Sequence, residues 1–184
     1  MVSLQEKHNF ELTADEYKGW VSKEEDRVVA ALNAKCRECE GCSEELEKLA
    51  TSKKYHLAIV SSSAYQRIFA AIRKVGHEKY FEPEHIYSAS SSLPKPTFKP
   101  DPAIYLWAME KLGKKPEECV AIEDSGSGAN SAVRAGVSFI GYVGSYHGAE
   151  KQAEMKKMLE EVGAKAVMTH WRQFPDCLAK TEAS

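Results

Sequence analysis

The sequence predicts a doubly wound α/β structure with a mostly parallel sheet. Three observations carry that expectation. Short apolar runs that suit buried strands, at 56–60, 86–87, 119–122, 137–143 and 166–168, alternate with segments of helical period. Strands alternating with helices form layers around a mostly parallel sheet. The third observation is that polar groups collect just after strands, where such sheets bind their ligands.

In chain order, residues 1–42 read as helical and polar, with no strand-like run. Thr13 and Glu16 have the spacing of a capping box, and Val28, Val29 and Leu32 share one side of a helix. Cys36, Cys39 and Cys42 form C-x-x-C-x-x-C, but no nearby His or Cys completes a closed metal site, so they read as thiols in a linker that turns at Gly41. Ser43 is expected to cap a helix to about Lys53, with Leu46, Leu49 and Ala50 inward. A strand at 56–60 follows and is closed by Ser61, Ser62 and Ser63. Residues 64–75 form a helix with Ile68, Ile72 and Val75 on one face, stopped by Gly76. After a strand at 86–87, the Ser-, Pro- and Lys-rich stretch 88–100 reads as a mobile loop. Asp101 caps a helix with Pro102 at its first position, ending at Gly113. Strand, helix and strand follow through 143, then a helix at 152–162, a strand at 166–168 and a closing helix at 171–178.

Composition narrows the function. The 184 residues fit one domain, or one with a small appendage, and suffice to bury a core. A net charge of −2 argues against partners held by bulk electrostatics, so no nucleic acid and no membrane surface is expected. No apolar run approaches a membrane span, and the polar, acidic N-terminus does not read as a leader, which makes the expected location cytoplasmic. Five cysteines, an odd number, point to free thiols rather than a disulfide framework.

The chemistry centres on residues 120–136, VAIEDSGSGANSAVRAG. Glu123 and Asp124 stand together where a buried strand ends. Two like charges side by side repel unless something positive lies between or near them; a divalent metal is the usual answer, and hard oxygen ligands suit magnesium. Capping by Asp124 or Ser125 explains one acid and leaves the other unexplained. Ser61, Ser62 and Ser63 follow a second strand, and Lys99 lies in a loop that can reach the same edge. Hydroxyls, N–H groups, one ammonium and two carboxylates suit a phosphate group with magnesium. Serine turns, solvated lysines and a surface His147 are individually common; the joint order is what points to a site. A nucleotide-cofactor oxidoreductase fits the layers, but Gly126 and Gly128 follow an acidic pair instead of opening a G-x-G-x-x-G turn.

The runs AIVSSS at 58–63, KPDPAIYLWAMEKLG at 99–113 and CVAIEDSGSGANSAVRAG at 119–136 resemble the haloacid dehalogenase (HAD) superfamily, nearest to its β-phosphoglucomutase-type phosphatases and mutases. The resemblance spans about 43–178 and implies a Rossmann-like, HAD-like core with a helical cap. It implies that Ser61 binds the transferring phosphate with help from the Ser62 N–H. It implies that Lys99 pairs with that phosphate and with the nucleophile. Asp124 would ligate Mg2+, supported by Glu123. Lys95 is a second candidate for the lysine, but the PDPAIY that follows Lys99 matches the family's helix start. Ala103 stands where many members have Asp.

One departure matters more than the matches. The family's first motif, a strand followed by DxDGT, supplies the nucleophile and the general acid/base, and no such sequence occurs here. Asp15 and Asp26, the only aspartates before the serine motif, lie in polar, helix-like sequence. The expectation is a partial helical cap segment at 1–42, a core at 43–184 lacking its first strand, and a chain that begins inside its cap. The absent strand would lie between those bearing Ser61 and Asp124. Each buried backbone group left unpaired costs about 1–3 kcal/mol. Direct closure would have to repack both helix layers. A second chain, a swapped strand, or a longer natural protein is therefore the favoured resolution. Two functions follow. In its intact form the protein is expected to be an Mg2+-dependent phosphatase or phosphomutase of a small phosphorylated metabolite, inactive as the given chain. The alternative is a degenerate, non-catalytic module that binds a phosphorylated ligand or a partner protein.

Overall fold

The computed structural model describes residues 13–183. Helix α1 (Ala14–Lys35) starts as the sequence requires: the Thr13 hydroxyl accepts from the Glu16 N–H while the Glu16 carboxylate accepts from the Thr13 N–H. Val28, Val29 and Leu32 are half-buried, and α1 lies against α3 (Tyr65–Lys74). Arg67 of α3 joins the two helices, its Nε 2.7 Å from Glu25 and its Nη2 2.8 Å from Glu24.

In chain order α2 (Cys42–Ser52) comes between them. Its start corrects the expectation that Ser43 caps it: the cap is Gly41, and Ser43 lies inside the first turn. Ser43 is drawn elsewhere, donating to Glu38 and lying 2.9 Å from His77 Nε2. Leu46 is buried as expected, but Leu49 and Ala50 are only half-buried. Glu45 is buried instead and is held by Lys48 at 2.6 Å.

The strands are β1 (Ile59–Ser61), β2 (Ile86–Ser88), β3 (Val120–Glu123), β4 (Ser138–Tyr142) and β5 (Ala166–Met168), and every pairing is parallel. The strand expected at 56–60 is displaced toward Ser61, because only Ile59–Ser61 find partners on β2. The loop after β2, expected to be mobile, is laced by hydrogen bonds: Ser88 Oγ donates to the Ser63 carbonyl, and the Thr97 N–H to the Ala89 carbonyl.

The crossovers are α3, α4 (Ala103–Leu112), α5 (Gly126–Arg134) and α6 (Ala149–Val162), with α7 (Phe174–Glu182) closing the described chain. The α4 start corrects the expectation that Asp101 is its cap with Pro102 first in the helix: Pro102 occupies the cap and Ala103 the first position, while the Asp101 carboxylate, one residue further out, accepts from the Ala103 N–H. One core layer joins Ala121, Phe139 and Val143 to Ile104, Ala108, Ala129, Ala132 and Leu159. The other joins Ile140, Tyr142 and Met168 to Leu46, Trp171 and Phe174. Both faces of β4 are thereby covered, as a doubly wound sheet requires.

The sheet is divided. Strands β1 and β2 form one unit and β3, β4 and β5 another. The first does not pair with the second, so the direct closure of β1 onto β3 is not adopted. Among the described residues no strand occupies the inner edges of β1 and β3. Val120 and Ile122 of β3 are each 38% exposed on the face that β4 has covered.

Candidate active site

Both inner strands deliver their last residues to one edge of the fold. The Ala89 N–H donates to the Ser61 carbonyl at 2.8 Å, so Ser61 turns its backbone toward β2. Alternation then turns the Val60 carbonyl the other way, to the open side. Lys99 fills that position. Its ammonium donates to the Val60 carbonyl at 3.0 Å and to Glu123 Oε1 at 2.5 Å. One side chain thus spans from the edge of β1 to the end of β3. Both charges are well buried, with 11% of the Lys99 side chain exposed and 7% of the Glu123 side chain. Lys95, the other candidate lysine, is exposed.

Two further contacts fix the pair. The Lys99 N–H donates to Ser62 Oγ at 3.1 Å, anchoring the loop that carries the lysine. The Tyr105 hydroxyl donates to the same Glu123 oxygen at 2.5 Å, and the ammonium lies 4.9 Å from the Tyr105 ring centre. Burial first, then the Glu123 charge, then the hydrogen bond to it, raise the Tyr105 pKa, so the phenol stays protonated and remains a donor. Sequence reading did not single out Tyr105. The available signal was its place on the buried side of the helix after Lys99, where a phenol needs a hydrogen-bond partner.

The adjacent acids, assigned together to a magnesium site in the sequence reading, face different surroundings. Glu123 points inward and its charge is answered by Lys99. Asp124 is exposed, and among the described residues its carboxylate has no partner; its carbonyl accepts from the Tyr146 hydroxyl at 3.1 Å. The helix-cap role falls to Ser125, which accepts from the Gly128 N–H at 3.1 Å. Gly128 itself is required by close approach: a Cβ there would lie 1.7 Å from Glu123 Oε2. The carboxylate packs against the first turn of α5, where the helix dipole favours negative charge.

Ser61 and Ser62 are half-buried at the end of β1, with Ser61 Oγ accepting from the Ser63 N–H at 3.1 Å. The structure therefore gathers Ser62, Lys99 and Glu123 into one bonded group, with Ser61 and Asp124 at the ends of the strands that carry it. His147 is exposed beyond β4. Among the described residues no three His, Cys, Asp or Glu side chains converge as a metal cage would, the cysteines of the linker included. Magnesium does not need such a cage, because one or two carboxylates with phosphate and water oxygens complete its octahedron. Asp124 offers one unpartnered hard-oxygen ligand, which fits that arrangement.

Comparison with known proteins identifies the family. Residues 3–142 match the model of the haloacid dehalogenase-like hydrolase family. A phosphorylated carbohydrates phosphatase of Thermotoga maritima is 32% identical over 154 residues, 84% of this chain and 64% of its own length. The chain thus spans less than two thirds of that relative. A HAD family hydrolase of Deinococcus radiodurans, solved with bound phosphate and sodium, superposes with a TM-score of 0.69 at 28% identity, over 98% of this chain and 73% of the other. A β-phosphoglucomutase of Clostridium difficile shares the fold at a TM-score of 0.73 and 17% identity, over 97% of this chain and 74% of its own. By sequence match and by fold, the chain belongs to the haloacid dehalogenase-like hydrolase family.

Proposed function

We propose that this edge is the phosphate and Mg2+ half of a phosphatase or phosphomutase site for a small phosphorylated metabolite, and that the given chain binds without turning over. The observation that carries the reading is Lys99, held between the Val60 carbonyl and Glu123 beside Ser62. Ser61 and the Ser62 N–H would receive the phosphate oxygens, and the ammonium would neutralise them. Asp124 would hold magnesium, which would draw charge from the phosphate, while Glu123 keeps the lysine in place. The phosphate bound by the Deinococcus relative supports this choice of ligand. No D-x-D sequence is present to form an aspartyl-phosphate. The protein would act in the cytoplasm, where small phosphorylated metabolites are found. Among the described residues no helix is long and apolar enough to cross a membrane.

Titration calorimetry with inorganic phosphate, with and without magnesium chloride, tests the reading. Binding should strengthen with magnesium, lose that gain in Asp124→Asn and disappear in Lys99→Met. Steady magnesium-dependent release from p-nitrophenyl phosphate that Asp124→Ala abolishes would refute the binding-only part.

The open inner edges of β1 and β3, with Val120 and Ile122 exposed, favour a second reading. A degenerate, non-catalytic module could take a strand from a second chain or from a swapped copy by edge addition, leaving 1–42 as a cap remnant on a 43–184 core. Light scattering that finds a stable monomer across a wide concentration range would count against the swapped copy.

A further inference from the structure

We propose that Cys39 and Cys42 form a thiol–disulfide exchange site, closing reversibly into an intramolecular disulfide in the connection between α1 and α2. The backbone already has the required turn. The Cys42 N–H donates to the Cys39 carbonyl at 3.0 Å, and Gly41 between them has φ 81° and ψ −1°. Those angles belong to the third residue of a type II turn, which brings its end Cα atoms within about 7 Å. A disulfide requires Cα atoms roughly 4.4–6.8 Å apart, so little movement is needed. Gly41 is also confined by contact: a Cβ there would lie 3.1 Å from the His170 ring, so the turn is seated on the fold.

The two thiols are unequal in the way that exchange uses. Cys39 is half-exposed and packs on the rim of the layer that holds Tyr142. Cys42 is buried in the layer with Leu46, Tyr142 and Trp171. Burial pushes the Cys42 thiol up to about 12, with the Cys39 and Glu38 charges adding to it, so Cys39 reacts first. Cys36 does not compete through the backbone. It closes α1 in extended conformation, its N–H bonded to the Leu32 carbonyl.

The step balances with a low-molecular-weight disulfide, such as glutathione disulfide, as oxidant. The Cys39 thiolate, its proton lost to water, attacks one sulfur of that disulfide. A mixed disulfide forms and one small thiolate leaves, taking up a proton. Cys42 then gives up its proton and attacks the Cys39 sulfur; the Cys39–Cys42 bond forms and the second small thiolate departs and is protonated. Two protein thiols are oxidised and one small disulfide is reduced to two thiols.

The tryptic peptide 38–48 holds both cysteines and excludes the other three, so mass spectrometry reads the reaction directly. After equilibration of the full chain with oxidised glutathione, the peptide should be lighter by two hydrogens and resist alkylation, and dithiothreitol should reverse both changes. Cys42→Ser should stop at glutathione attached to Cys39. Cys39→Ser should give neither product while its circular dichroism stays unchanged. Cys36, Cys119 and Cys177, replaced together by serine, should leave the link intact. A wild-type peptide 38–48 that remains fully alkylatable, or one cross-linked to Cys36 or Cys177, would overturn the proposal without any variant needing to fold.

Discussion

Strands β3 and β4 lie side by side in one sheet and have opposite surroundings. Strand β4 has a neighbour on each edge and helices on each face, and Phe139, Ile140 and Tyr142 are all buried. Among the described residues strand β3 has one neighbour and one covered face, with Ala121 and Glu123 buried and Val120 and Ile122 exposed. Their sequences do not announce this difference, since both are short and mainly apolar. The contrast teaches that a strand's burial belongs to its position in the sheet. It also explains where the polar chemistry sits. The open inner edges leave the Val60 carbonyl for a lysine to hold, and that lysine in turn buries a glutamate.

The contrast can be broken at measurable points. The largest effect is expected in β4: Phe139→Ala removes a buried ring from the layer with Leu159 and should cost about 3–5 kcal/mol in urea unfolding. Next is the bridge between the sheets. Lys99→Met leaves Glu123 buried without its partner and should also lose about 3–5 kcal/mol. Adding Glu123→Gln should recover part of that loss, and a double-mutant cycle that comes out additive would mean that the pair is uncoupled. Tyr105→Phe deletes one hydrogen bond to a charged oxygen and should cost about 1.5–3 kcal/mol.

A pH experiment probes the layer below β4. The Cys42 thiol titrates higher folded than unfolded, so the native state holds the proton longer. The associated stability is present below the unfolded value of about 8.5 and is lost as pH rises toward about 12. Denaturation midpoints should fall over that window, and Cys42→Ser should fall less steeply than wild type. The smallest effect belongs to β3. Ile122→Thr should stay within about 0.5 kcal/mol, because its side chain already meets water. A loss comparable to that of Phe139→Ala would show that this face is covered in solution.

Local signals in the chain were legible where they are self-contained. The Thr13–Glu16 capping box and the extent of β5 follow from residue spacing and appear as expected. Gly113 ends α4 in the left-handed region that the stop signal implied. Ser43 does not cap α2, because it has a long-range alternative in His77, 34 residues away. Strand β1 was displaced, because pairing with β2 rather than apolar content set its bounds. The helix start that follows Lys99 favours it over Lys95, and Lys99 is the one that reaches Glu123.

The sequence by itself determined the family, the parallel α/β order and the set of groups at the carboxyl edge, because each depends on residue type and spacing along the chain. Only the tertiary structure decided how the two acids divide. Glu123 turns inward because Gly128 makes room for its carboxylate and Lys99 and Tyr105 partner it, while Asp124 is left to solvent. The partners come from distant segments, and neighbours in sequence do not reveal which charge the fold will bury.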